Sequence, residues 1–297
     1  MKKTTVTWSG SSGKTQRGYS IFLWLIQKGG RKPAYFLLLW VALYYRLFNK
    51  QSNKSLYYVY HNILKLPSTK IGPTLLKNYL FFGQSLIDKV AVALRPNHHG
   101  ITINRDGEHF FHEMLSKGKG GILIGAHLGS WDLAGQLLVE VAVHVNIVMF
   151  DGEEPAIKKL IEQKTGKPIY NIIYIREDMS HIYKIHDALK NNELVCLHGD
   201  RFIKGQRCVK MDFLGQPAYF PEGPFALAAA MKAPISFVFA IKTSKSHYHF
   251  KASPPTILEE RGATAAKTLR QNYVALLEEN LKNHPEQWYN YYDFWEA

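Results

Sequence analysis

The sequence of 297 residues contains only two cysteines, Cys196 and Cys208. A disulfide-rich framework and a zinc site of the cysteine type are therefore excluded. No serine stands in a Gly-x-Ser-x-Gly pattern, which argues against a hydrolase with a serine nucleophile on a strained strand-to-helix turn. The longest apolar run near the N-terminus, residues 34–48, is shorter than the roughly twenty residues that a membrane-spanning helix needs.

Acidic residues are absent from the first 87 positions, which contain 13 lysines and arginines. The remaining residues carry equal numbers of bases and acids, so the net charge of +13 belongs wholly to the N-terminal part. Basic N-terminal segments bind nucleic acid or anionic membrane surfaces. Here the bases alternate with the apolar runs 21–26 and 34–48, and so much Leu, Trp and Phe favours anionic membrane lipids, not nucleic acid, as the partner.

We therefore predict that residues 1–55 form a basic, apolar, helical membrane anchor and that residues 56–297 form the catalytic domain. Two short helices would lie in or dip into one leaflet, with aromatic and basic side chains at the level of the headgroups. A single tilted span from residue 34 onward and a buried helical hairpin of a soluble core are the alternatives. A secretory signal peptide is not expected, because the apolar run starts late and no cleavage site follows it.

Alternation of strands and helices after residue 100 predicts an α/β fold with a mixed, largely parallel sheet flanked by helices. Residues 56–94 read as helical, with breaks near Pro67 and Pro73. The strands are expected at 101–104, 121–126, 145–150, 170–175, 193–198, 209–213, 234–242 and 247–251. The helices are expected at 106–117, 130–143, 155–164, 178–190, 223–231 and 263–283. In such a fold the active site lies beyond the carboxyl ends of the strands.

The segment GAHLGSWD, residues 125–132, follows a buried strand and precedes a predicted helix. It places His127 at a strand end, where a substrate can reach it. Asp132 lies five positions further on and could hold the imidazole in one tautomer. A histidine with an orienting carboxylate can act as a general base toward a hydroxyl, although a structural histidine is the alternative.

Two further polar groups follow predicted strands or open a helix. Asp200 and Arg201 come after the strand ELVCL, either as a buried salt bridge or as residues that contact an anion and shape the site. Glu222 and Gly223 stand in the rigid sequence FPEGP, where a helix begins. Backbone N–H groups at a helix start face an anion, although a simple helix-start turn has the same pattern.

Taken in order, the segments HLGSWD, HGDRF, MDFLGQPAYFPEGPFALAAAMKAPISFVFA and HPEQWYNYYDFW resemble the bacterial lipid A biosynthesis acyltransferases of the lysophospholipid acyltransferase superfamily. The resemblance implies a membrane-associated enzyme that moves a fatty acyl group from a thioester, usually on acyl carrier protein, to a lipid hydroxyl. It implies His127 as general base with Asp132 as its partner. It also implies Glu222 and Gly223, and less directly Asp200 and Arg201, as substrate-binding residues.

The resemblance leaves the acceptor open, because this family usually has Glu where Asp132 stands and because FPEG is closer to the glycerophospholipid branch. The acceptor is therefore a lipid A precursor or another lysophospholipid, aminolipid or aryl lipid. A thioesterase on the same fold and a scaffolding protein without activity are the other readings. No metal or cofactor is expected besides the acyl thioester. The expected location is the cytoplasmic face of the bacterial inner membrane.

Overall fold

The computed structural model describes residues 16–94, 99–130, 133, 144–150, 170–202, 205–260 and 262–295. The described chain begins with the helices α1 (Gln16–Gly29), α2 (Arg31–Phe48), α3 (Lys50–Tyr58) and α4 (Ser68–Leu94). A π-helical turn, Val59–Ile63, follows α3. The predicted break near Pro67 is present. The predicted break near Pro73 is wrong, because α4 continues through this residue. Pro73 removes one backbone hydrogen bond near the start of the helix. The helix persists because one long face of α4 is buried against the rest of the fold.

Strands and helices alternate through the remainder of the chain. They are β1 (Thr102–Asp106), α5 (His109–Ser116), β2 (Gly121–Gly125), β3 (Val145–Met149), β4 (Asn171–Tyr174), α6 (Ser180–Lys190), β5 (Leu194–His198), β6 (Cys208–Phe213), β7 (Gln216–Pro221), α7 (Gly223–Met231), β8 (Ile235–Lys242), β9 (His247–Ala252) and α8 (Gly262–Asn283). The 3-10 turn Pro285–Gln287 leads into the C-terminal segment. Apart from residues 130 and 133, the predicted helices 130–143 and 155–164 lie outside the described residues.

Among the residues that the structure describes, seven strands form one sheet in the order β1-β9-β8-β2-β5-β3-β4. Every neighbouring pair is parallel except β8 and β9, which are antiparallel. The predicted α/β fold with a mixed, largely parallel sheet flanked by helices is therefore confirmed. All five residues of β2 are buried, as expected for a strand that is covered on both faces. Strands β6 and β7 form a separate antiparallel hairpin.

The prediction of an N-terminal membrane anchor, which was part of the expected fold class, is wrong. None of the helices within the described ranges has the length and apolar character that crossing a membrane requires. Instead, α1 and α2 pack on α4, and the contact buries Ile26, Ala34 and Leu38 against Ile87 and Ala91. The apolar runs that suggested an anchor are therefore partly explained by packing within the fold. The predicted boundary at residue 55 falls inside α3.

Helix α2 and α4 are also tied to the sheet by a buried ionic cluster. Asp88 on α4 is fully buried and accepts hydrogen bonds from Lys242 Nζ, Tyr248 Oη and Tyr35 Oη, the last two at 2.6 Å. Arg31 Nη1 lies 3.2 Å from the same carboxylate. Burial lowers the pKa of Lys242, and the negative charge of Asp88 opposes that effect. The cluster therefore joins the N-terminal helices to β8 and β9.

Candidate active site

The carboxyl ends of β2 and β5 bring two of the predicted polar residues together. The strands are parallel neighbours with Gly125 opposite His198, and Gly199 N donates to Gly125 O at 3.0 Å. His127 follows β2 by two residues and Asp200 follows β5 by two residues. Because the two strands end in the same register, the side chains that come next meet beyond the edge of the sheet.

Asp200 holds His127 through both of its carboxylate oxygens. The Nδ1 atom of His127 lies 2.9 Å from Asp200 Oδ1, and the backbone N–H of His127 donates to Oδ2 at 2.8 Å. Trp288 Nε1 donates to the same Oδ2 at 3.2 Å. The side chain of Asp200 is 1% exposed, whereas that of His127 is 17% exposed. A buried carboxylate thus positions a partly exposed imidazole.

The electrostatic environment keeps Asp200 ionised. Burial acts to raise its pKa, but the charge and hydrogen bond of His127 and the charge of Arg201 outweigh burial, so the pKa of Asp200 lies well below its usual value. An ionised acceptor next to Nδ1 favours the tautomer with the proton on that nitrogen. The basic lone pair of the neutral ring is then on Nε2.

A second imidazole, that of His198, lies beside His127. The two ring centroids are 4.4 Å apart, with 33° between the planes. Burial lowers the pKa of His198 far below its usual value, and the neighbouring charges of His127 and Arg201 act in the same direction. His198 is therefore neutral at physiological pH and adds no positive charge beside His127.

The C-terminal segment closes over the residues after β2. Tyr289 N donates to His127 O at 2.9 Å, and Gly129 N donates to Gln287 O at 2.8 Å. Gly129 has φ +76°, and a Cβ there would overlap the carbonyl of Ala240, so this turn requires glycine. The backbone that carries His127 is thus held between β8 and the segment after the 3-10 turn.

Arg201 contributes to the same closure. Its Nη2 donates to Tyr289 O at 2.6 Å, while Tyr292 Oη donates to the backbone oxygen of Asp200 at 3.3 Å. Burial lowers the pKa of Arg201, and the charge of Asp200 opposes this shift. Arg201 therefore joins the loop after β5 to the C-terminal segment in addition to lowering the pKa of Asp200.

Glu222 and Gly223 lie at the start of α7, as predicted. Glu222 is the N-cap residue, but its side chain makes no capping hydrogen bond, and Pro224 occupies the first turn. Within the described ranges, no hydrogen bond or ion pair joins Glu222 to His127 or Asp200. The start of α7 contacts the site through Phe225, whose ring packs against Gly199. The contact is so close that a Cβ at Gly199 would lie only 2.9 Å from Phe225 Cζ.

Comparison with known protein families assigns this chain to one of them. The family model described as bacterial lipid A biosynthesis acyltransferase matches residues 18–295, which is nearly the whole chain. The protein belongs to this family. The predicted resemblance is confirmed. As a member of the bacterial lipid A biosynthesis acyltransferases, the protein is an acyltransferase.

Two curated proteins show a partial similarity to this acyltransferase-family chain. Both are named phosphatidylinositol mannoside acyltransferase, one from Mycobacterium tuberculosis strain H37Rv and one from strain CDC 1551. Each is 27% identical over 115 residues, which is 38% of this chain and 36% of the relative. The chain thus matches about a third of the length of these relatives.

The structure brings together only part of the predicted site of this family member. Asp132, the predicted partner of His127, lies outside the described residues. Asp200, predicted to bind substrate, has instead the contacts of a buried positioning group. The predicted roles of His127, Asp200, Arg201, Glu222 and Gly223 stay predictions, since geometry alone does not test a role.

Several contributors to the site were missed at the level of sequence. The ring of His198 packs against that of His127, while Gln287, Trp288 and Tyr289 contact the segment after β2 and Asp200 from the C-terminal end of the chain. The parallel register of β2 and β5 could have indicated that Asp200 meets His127, because both residues follow their strands by two positions. The contribution of the C-terminal segment has no local signal, since it depends on contacts between residues far apart along the chain, such as Trp288 with Asp200, which are 88 positions apart.

Proposed function

We propose that the protein transfers a fatty acyl group from an acyl thioester to a hydroxyl of a lipid, with His127 as general base and Asp200 as its positioning residue. The observation that supports this is the 2.9 Å contact between Nδ1 of His127 and the buried carboxylate of Asp200. It fixes the tautomer in which Nε2 can accept a proton. Family membership supplies the class of reaction.

The proposed step forms an ester bond and breaks a thioester bond. As the acceptor oxygen attacks the carbonyl carbon of the thioester, its proton passes to Nε2 of His127. The imidazolium is stabilised by the ionised Asp200, as in other histidine–carboxylate pairs. The tetrahedral intermediate then collapses with cleavage of the C–S bond, and the thiolate takes the proton from His127. The acyl thioester is the only co-substrate that this sequence of events requires.

We take acyl carrier protein as the donor and a membrane lipid as the acceptor. Acyl carrier protein is the donor that the family resemblance implies, and the basic N-terminal part would attract an acidic carrier over a distance. The similar mycobacterial proteins are named for a phosphatidylinositol mannoside, which supports a lipid acceptor. A lipid A precursor is the acceptor that the family name suggests, and it enters the experiment as one candidate among several lipids.

The surface of the N-terminal helices supports contact with anionic lipids at the cytoplasmic face of the inner membrane. Their large apolar side chains include several that are more than half exposed, namely Trp24, Phe36, Trp40, Tyr44 and Phe48. Exposed apolar patches of this kind mark sites of interaction. Arg31 is paired with Asp88, but exposed bases of this region, such as Lys28, Lys32 and Lys50, would each gain about 1 kcal/mol near an anionic leaflet. Such contact at the surface requires no helix that crosses the bilayer.

The full chain should be incubated with a radiolabelled acyl thioester of acyl carrier protein and with lipid extracts separated by class. We expect the label to appear in an ester of one lipid class. The acyl carrier protein with a free thiol should be formed in an amount equal to that of the labelled ester. The variant His127→Ala should lower this rate by about 10²–10⁴-fold. His186→Ala serves as the matched control, because His186 is a largely exposed histidine on α6.

The result that overturns the proposal is a folded His127→Ala variant with near-normal turnover. Labelled free fatty acid without a labelled ester would instead indicate a thioesterase. Vesicle flotation with anionic and with neutral lipid tests the surface contact separately. Equal binding to both kinds of vesicle would count against anionic lipids as partners.

A further inference from the structure

Gln287, at the end of the 3-10 turn, is a buried residue whose backbone and side chain are both hydrogen-bonded. It is 1% exposed. Its Oε1 atom accepts a hydrogen bond from Lys242 N at 2.9 Å, and its Nε2 atom donates to Lys242 O at 2.8 Å. Its backbone N–H donates to His284 O at 3.0 Å, and its backbone oxygen accepts from Gly129 N at 2.8 Å. A buried amide is destabilising unless it is hydrogen-bonded, and the end of β8 supplies both partners of this side chain.

The side-chain amide of Gln287 takes the place of a neighbouring strand beside the end of β8. Strand β2 pairs with β8 only as far as Phe237. Further along β8, Ala240 O accepts a hydrogen bond from Ser130 N at 2.8 Å, and Lys242 pairs with the amide of Gln287. The amide donates to and accepts from one residue, as two opposed residues of an antiparallel sheet do. A single side chain thus fixes the C-terminal segment to the sheet.

The two residues that follow Gln287 hold the two groups proposed for catalysis. Trp288 Nε1 donates to Asp200 Oδ2 at 3.2 Å, and Tyr289 N donates to His127 O at 2.9 Å. The backbone oxygen of Gln287 itself binds the turn after β2. Because these contacts come from one short segment, a displacement of that segment would move the carboxylate and the imidazole relative to each other.

We propose that Gln287 is a positioning residue for acyl transfer, which acts through Trp288 and Tyr289 on the pair of His127 and Asp200. Its side chain sets where the C-terminal segment lies against β8, and that segment sets the contact between the imidazole and the carboxylate. A misplacement of about 1 Å can lower the rate of a catalysed reaction by about 10²-fold. This proposal rests on the proposed function, because it names a further residue that the same reaction needs.

The first variant, in the full chain, is Gln287→Met. It keeps the length of the side chain and loses both hydrogen bonds to Lys242. We expect kcat of acyl transfer to fall by about 10–100-fold, with little change in KM. Steady-state kinetics with the acyl thioester and the lipid acceptor provides the measurement.

The second variant, Gln287→Glu, tests the same hydrogen bonds by rescue. A protonated carboxyl group can donate to Lys242 O and accept from Lys242 N, whereas an ionised one can only accept. Burial favours the protonated form. The ratio of kcat in Gln287→Glu to kcat in wild type should therefore be higher at pH 6 than at pH 8. Taking the ratio removes the effect of the protonation of His127, which is common to both proteins.

Two further variants serve as controls. Gln271→Met makes the same replacement at an exposed position of α8. Ser236→Ala removes a buried hydrogen bond to Ser253 O, 2.6 Å long, near the start of β8. Both should keep the kcat of wild type, and Ser236→Ala shows how a loss of stability elsewhere on the same strand affects the rate.

The imidazole of His127 provides a readout that does not depend on turnover. In protein with isotope-labelled histidine, the nitrogen resonances of this ring are identified by their loss in His127→Ala. Wild type should show the tautomer with the proton on Nδ1, and Gln287→Met should shift the resonances toward a mixture of tautomers. Ser236→Ala should leave them unchanged.

The two readouts separate this proposal from the proposed reaction. If the resonances of His127 change in Gln287→Met but wild type transfers no acyl group, Gln287 positions the pair and the proposed reaction fails. A folded Gln287→Met with the kcat or the His127 resonances of wild type would overturn the proposal, because Gln287 would then only stabilise the fold. If Gln287→Met does not fold, the ratio for Gln287→Glu decides, and a ratio that does not rise at low pH has the same consequence.

Discussion

The Nδ1 atom of His127 lies 2.9 Å from Oδ1 of Asp200, across 73 positions of sequence. The contact exists because β2 and β5 are parallel neighbours, so it is a product of the sheet topology and not of a local motif. Trp288 Nε1 and the backbone N–H of His127 occupy the other carboxylate oxygen. The orientation of the imidazole is thus fixed by three separate parts of the chain.

The variant Asp200→Asn tests whether this contact serves catalysis. An amide can still accept a hydrogen bond, but it carries no charge to stabilise the imidazolium and can select the wrong tautomer. We expect kcat to fall by about 10²–10⁴-fold while KM changes little. Steady-state kinetics of acyl transfer provides the measurement. Asp187→Asn is a suitable control, because Asp187 is a largely exposed carboxylate on α6. A kcat near that of wild type in folded Asp200→Asn would remove Asp200 from the mechanism.

The fold was predictable wherever periodicity and burial act locally. Each predicted strand at 121–126, 193–198 and 234–242 is present within two residues, because short aliphatic runs between glycines and polar residues have few other ways to bury their side chains. The N-terminal part was misjudged, since residues such as Ala34 and Leu38 look the same in sequence whether they face lipid or α4. Pairings such as Asp200 with Trp288 depend on tertiary contacts and leave no periodic signal.

The stability of the protein should depend on pH through His198. Burial keeps the pKa of this histidine well below its usual value of about 6.5 in the folded state. Above pH 6.5, His198 is neutral in the folded and in the unfolded protein, so its titration does not reduce the free energy of unfolding. As pH falls below this value, the unfolded chain binds a proton that the folded chain does not, and the free energy of unfolding decreases.

The variant His198→Gln should therefore lose part of this dependence. Urea unfolding at pH 7.5 and at pH 5 measures the slope for wild type, for His198→Gln and for the exposed-site control His186→Gln. We expect a smaller difference between the two pH values in His198→Gln than in the other two proteins. An identical difference in all three would show that His198 is not the group that titrates.

The buried ion pair of Asp88 and Lys242 leads to a prediction that concerns only the stability of the protein. Replacing Asp88 by Ala leaves the ammonium of Lys242, which is 3% exposed, without its counter-charge. We expect a loss of about 3–5 kcal/mol in the free energy of unfolding. The double variant Asp88→Leu with Lys242→Met removes both charges and should be clearly more stable than the single variant. Denaturant unfolding of the three proteins decides this, and a double variant no better than Asp88→Ala would contradict the argument.

Gly199 links the packing of the core to the position of Asp200. A Cβ at this glycine would lie 2.8 Å from Tyr273 Cζ and 2.9 Å from Phe225 Cζ, which is closer than carbon atoms can approach without movement. Gly199→Ala should therefore destabilise the protein by about 1–3 kcal/mol and should lower kcat, because the shift acts on the residue next to Asp200. At Gly72 on α4 a Cβ meets nothing within 4 Å apart from its chain neighbours, but Pro73 follows directly and disfavours a residue with a Cβ in the helical region. Gly72→Ala should therefore gain no stability and should leave kcat unchanged. Thermal unfolding and steady-state kinetics of both variants check the prediction. If Gly199→Ala lowers stability but keeps full activity, the contacts of Gly199 with Tyr273 and Phe225 stabilise the core without positioning Asp200.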